Sequence, residues 1–88
     1  MEMNIVYEIR AKRHSGSSLP DICLFYDEDR NEALKFMRSY VLKNGFTVKE
    51  SNGVFTVGDI LLRKRTLTGD VLCDTPYINL FDSLGNRR

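Results

Sequence analysis

One histidine, two cysteines and a run of carboxylates are the side chains in this 88-residue chain that suit chemistry best. His14 stands beside Ser15 and Ser17, with Cys23 a little further on, so a nucleophile–base pair can be drawn on paper. Such a pair needs a third group to orient the base, and no carboxylate stands at a telling spacing from His14. A solvated loop histidine accounts for the same residues with fewer assumptions. Asp27, Glu28, Asp29 and Glu32 could surround a divalent ion. Carboxylates at the start of a helix are also what capping and the helix dipole favour, and that reading explains all four. Cys23 and Cys73 match neither a zinc nor a redox spacing and read as two buried structural cysteines. The glycines fall one to a turn, so no phosphate-cradling loop is present. The sequence therefore assigns no catalytic residue, no cofactor and no metal, and the chain reads as a non-enzyme.

Basic side chains are the next candidates. Arg10 and Lys12 close the first apolar run, and Arg63 and Arg65 follow the apolar residues Ile60–Leu62. If those two runs are neighbouring strands, the four cations form one outward stripe able to meet phosphates. The competing reading is that basic residues on a strand's solvent face keep its edges soluble. Tryptophan is absent and the aromatics fall mostly on inward positions, so no platform for stacking bases is evident. Lys plus Arg is 13 against 12 acidic residues, a net charge of +1, which argues against a dedicated nucleic-acid binder. Apolar residues at outward positions form the last group: Val6, Leu42, Val54 and Leu61. Each alone is ordinary, but together they are a candidate contact patch for a partner protein or a second copy.

The elements that must position these residues are legible from periodicity. Ile5, Tyr7, Ile9 and Ala11 alternate with Val6, Glu8, Arg10 and Lys12, the period of a strand with one buried face. Asp21–Tyr26 is nearly all apolar and reads as a strand covered on both sides, joined to the first by a polar loop that Pro20 closes. Asp29 caps a helix, with Glu32 completing a capping-box pattern. Ala33, Leu34, Phe36, Met37, Tyr40 and Val41 form its apolar stripe, and Gly45 its end. Asn52-Gly53 between two alternating runs predicts a hairpin with a type I′ turn. The alternation slips at Gly58, where a bulge or a tight turn returns Ile60 and Leu62 to the inner face. Val71–Cys73 reads as a short edge strand. Thr75 and Pro76 then open a second helix with Tyr77, Leu80, Phe81 and Leu84 on one face and Gly85 as its stop.

The expected architecture is α+β over residues 1–88 as one compact domain: β-β-α-β-β, a short extra strand and a short C-terminal helix. The main helix packs on one face of a small antiparallel-rich sheet. The start of the chain lacks the basic and apolar regions of a secretory signal, and no apolar run approaches a membrane span, so the cytoplasm is the expected location with no membrane partner. Without a catalytic set, the function expected is a non-catalytic interaction module. By analogy of size this is an accessory or inhibitor protein of bacterial or phage type that binds another protein or itself. The alternative is a weak nucleic-acid-binding module using Arg10, Lys12, Arg63 and Arg65.

Overall fold

A computed structural model describes residues 4–88, so the part of the N-terminal reading that falls on residues 1–3 lies outside the described residues. The elements are β1 (Ile5–Lys12), β2 (Ile22–Asp27), α1 (Arg30–Asn44), β3 (Thr47–Glu50), β4 (Gly53–Thr56), β5 (Asp59–Thr66), β6 (Val71–Pro76) and α2 (Tyr77–Leu80). They make a small α+β fold. One antiparallel sheet has the order β2-β1-β5-β6, and β3 and β4 form a separate two-stranded sheet.

The sheet has two unlike faces because side chains alternate along each strand. One face carries Ile9, Ala11, Ile60 and Leu62, all buried against Ala33, Leu34 and Met37 of α1. Tyr77, Phe81, Val48 and Val57 complete the same core. The other face carries Val6, Glu8, Arg10 and Lys12 on β1, opposite Arg65, Arg63, Leu61 and Asp59 on β5.

The helix α1 begins and ends where its sequence says it should. Asp29 accepts a hydrogen bond from the Asn31 N–H at 2.8 Å, and the Gly45 N–H closes the last turn on the Val41 carbonyl at 2.7 Å. Gly45 takes a φ of 63°, a conformation that costs glycine little. Glu32 pairs with Lys35 at 3.4 Å rather than reaching back as the capping box requires.

Four local expectations are corrected. The hairpin β3–β4 pairs Val48 with Phe55 and Glu50 with Gly53, so Ser51 and Asn52 form the turn. Among the described residues no residue other than glycine has a positive φ, and Gly53 alone takes one there, at 134°; a type I′ turn needs two. The register differs from the expected one by two residues, which leaves Phe46, Val48, Phe55 and Val57 on one face because the side-chain period is also two.

The phase slip at Gly58 is a change of sheet. Val57 donates to the Phe46 carbonyl in the hairpin, and Gly58 donates to the Lys12 carbonyl in the main sheet. A Cβ on Gly58 would stand 3.4 Å from the carbonyl oxygens of both Lys12 and Arg13, so the close approach suits glycine.

At the C-terminal end, Thr75 and Pro76 belong to β6 instead of opening a helix, because β5 is long enough to pair with both. Proline has no N–H to give, and the end of an edge strand tolerates that. The helix α2 then lasts one turn. Asp82 ends it by accepting the N–H groups of Leu84 and Asn86, each at 2.9 Å, a side-chain bond that competes with helix propagation. Leu84 is left exposed. The two cysteines are the fourth correction. Both are exposed thiols, on the two opposite edge strands, and are not buried core residues.

Candidate interaction site

The structure brings the expected basic residues together and then pairs most of them. Val6 lies across from Arg65, and Glu8 across from Arg63. Glu8 bonds Arg10 at 2.8 Å on its own strand and Arg65 diagonally across the ladder. Arg63 turns the other way and forks onto both oxygens of Asp74 on β6, at 2.9 and 3.1 Å. The first influence on Glu8 is burial, which pushes its carboxyl up; bonds from Arg65, Cys23 and Arg10 outweigh it and hold the group below its ordinary value. The Asp74 bond raises Arg63 further, so it stays charged. Three of the four cations in the stripe are thus neutralised by carboxylates within the fold. Lys12, opposite Asp59, is exposed.

The expected apolar patch does not assemble. Val6 and Leu61 do project from the outer face, yet they are only 3% and 8% exposed. The outer face is where the arginines lie, and their aliphatic stems suit the role of covering apolar neighbours while the heads stay wet. Leu42 and Val54 are exposed but lie on α1 and β4, two different elements. Leu42 also meets the C-terminal turn: a Cβ on Gly85 would come within 2.9 Å of its Cδ1.

Three further exposed apolar residues, Leu67, Val71 and Leu72, lie close together along the chain, at the turn joining β5 to β6 and the start of β6. Register places Lys64 opposite Cys73 and Arg65 opposite Val71, which makes Leu72 the extra residue of a bulge. A bulge re-aims its side chain and disturbs local pairing. Leu72 is 46% exposed, on a strand that has no neighbour on its outer side among the described residues. Sequence reading saw β6 as shorter and missed this set. The signal was present in the apolar pair Val71-Leu72 next to the Thr68-Gly69 turn.

A second surface lies between α1 and the C-terminal turn. A groove of about 440 Å³ has Leu34 and Phe81 in its lining, with Lys35, Arg38 and Arg87 around them and Asp29 and Glu32 nearer the start of α1. Arg38 donates to the Gly85 carbonyl at 2.6 Å, and the Arg87 guanidinium sits 5.7 Å from the centre of the Phe81 ring. Sequence analysis assigned Arg87 no role. The signal missed was Asp82, whose turn brings the chain back so that Arg87 bridges to Phe81.

His14 has the Thr56 hydroxyl 3.5 Å from its Nε2. Among the described residues no three of His, Cys, Asp and Glu cluster as metal ligands would, and no helix is long and apolar enough to cross a membrane. Comparison with known proteins finds no matching family model, no matching curated protein and no matching solved structure.

Proposed function

We propose that this chain is a non-catalytic interaction domain that binds another protein through the β6 edge. The observation that carries the reading is the half-exposed set Leu67, Val71 and Leu72 beside a strand edge that is unpaired among the described residues. Edge strands recruit partners through their free backbone groups, while side chains alongside supply specificity. An apolar group held out by a bulge is suited to that second task. The alternative, a nucleic-acid module, draws less support from the same geometry. Arg10, Arg63 and Arg65 already have carboxylate partners, and fewer free cations mean fewer counterions released on binding phosphate.

The test is affinity capture from host lysate with and without nuclease, comparing the natural chain with Leu72→Lys. Leu72 is exposed, so the variant is expected to keep its melting temperature while losing a nuclease-resistant partner. Capture that disappears with nuclease, or a partner retained equally by Leu72→Lys, refutes the reading.

A further inference from the structure

We infer that the groove between α1 and the C-terminal turn binds a short acidic–apolar segment of a partner protein, with Arg38 and Arg87 gripping its carboxylates. The inference rests on the protein-binding reading but uses a different surface.

Its basis is an account of the cations. Among the described residues, Arg10, Arg13, Lys35, Arg63 and Arg65 each have a carboxylate within ion-pair distance. The other eight have none among those residues, and of those eight Arg38 and Arg87 are the two that line this groove. Each is nevertheless held in place. Arg38 is anchored through Nε to the Gly85 carbonyl, which leaves its two terminal nitrogens free to fork a carboxylate. Arg87 is steadied over the Phe81 ring. Side chains already fixed lose little freedom when a ligand arrives.

The remaining residues narrow the ligand. Leu34 and Phe81 offer an apolar floor, which suits an aliphatic or aromatic side chain next to the carboxylate. Asp29 and Glu32 make the other end of the groove negative. The Asp29 carboxylate is engaged in capping α1, and Glu32 pairs with Lys35 at 3.4 Å. A nucleic-acid strand, charged at every phosphate, would have to run past both of these carboxylates. A segment with one or two acidic residues beside an apolar one would not. The two ends of the groove thus select against a uniform polyanion and set the direction in which a peptide lies.

The probe is a fluorescein-labelled peptide alternating Glu and Leu, titrated against the full chain at 0.15 M salt and read by anisotropy. A control peptide carries Gln for Glu, and a single-stranded oligonucleotide provides the rival polyanion. The Glu peptide is expected to bind about tenfold or more tighter than the Gln peptide, the scale of a charge-assisted contact. Arg87→Gln is expected to erase that preference with the melting curve unchanged, since Arg87 is exposed. Arg38→Lys, which keeps the charge but loses the fork, is expected to weaken it in part, and it serves as a second variant should Arg38→Gln loosen the turn. Equal affinity for the two peptides, indifference to Arg87→Gln, or tighter binding of the oligonucleotide overturns the inference. A chain that captures protein through Leu72 but ignores the acidic peptide sinks the groove alone. Failure of capture alongside an Arg87-dependent peptide titration sinks only the edge-strand surface.

Discussion

Glu8 sits on the outer face of the sheet at 7% exposure, and two guanidiniums turn toward it. Alternation along β1 put Glu8 on the same face as Arg10, and that was readable from sequence. Its bond to Arg65 was not, because that contact depends on which distant residue the ladder places diagonally opposite. The bond changes what substitutions at the stripe should do. Two outward arginines on a solvent face would tolerate reversal to Glu. With Arg65 bonded to a buried carboxylate, Arg65→Glu instead sets like charges together and strands Glu8 without its partner. It is expected to be the most destabilising single change on the outer face, measurable by urea melts against Arg63→Glu. Glu8→Gln is milder, at about 2 kcal/mol, because the partners remain partly solvated. The same group makes a pH prediction. Its carboxyl is held below its ordinary value of 4.5, so the stabilisation it contributes is fully present above that value. That share is lost as pH falls through the depressed value in the folded chain. Glu8→Gln is expected to remove part of the drop in stability below pH 4.5, and an unchanged acid limb would refute the assignment.

At the scale of elements, legibility followed how local the determinants are. The helix α1 was readable from end to end because its cap, stripe and stop lie within one continuous stretch, Asp29 to Gly45, apart from the Glu32 bond. Met37, fully buried at its centre, is the residue on which that face turns. Met37→Asp is expected to unfold the domain by placing an unpaired charge in the core, seen as loss of helical circular dichroism at 25 °C. The hairpin faces were legible but its register was not, since a shift of two residues preserves every face. Gly53→Val is still expected to destabilise, by about 1–2 kcal/mol, because a β-branched residue resists the positive φ there. An unchanged denaturation midpoint would count against that conformation. The C-terminal helix was misread because two non-local facts override its periodicity. Strand β5 recruits Thr75 and Pro76, and Asp82 takes up the N–H groups that a longer helix would use.

At the scale of the whole molecule, the order of elements along the chain was legible and their adjacency was only conditional. Nothing in the apolar pattern states that β1 lies between β2 and β5. The free pair Arg38 and Arg87 was invisible for the same reason, since residues on α1 and at the end of the chain become neighbours only through tertiary packing. The surface charge of the folded protein is accordingly distributed otherwise than its sequence suggests. The stripe that looked basic is largely neutral, and uncompensated arginines sit where the sequence showed only a helix flank and a tail.

The central pairing of β1 with β5 also governs how the chain reaches this structure. The other strand pairs of both sheets, β1–β2, β3–β4 and β5–β6, join consecutive strands, whereas β1 and β5 meet across more than half of the chain. Closing that loop costs entropy before any contact repays it, so the docking of these two strands is the step expected to limit the folding rate. Ile9 and Ile60 pack at this junction, fully buried. Trimming either to Val is expected to slow refolding in stopped-flow experiments by a share of the lost stability that a trimmed Val54, out on the hairpin, does not match. Lengthening the polar loop after β1 by ten residues should hardly register, because closure entropy grows only with the logarithm of length. If the hairpin variant slows refolding as much as the two isoleucine variants do, the long-range docking is not the barrier.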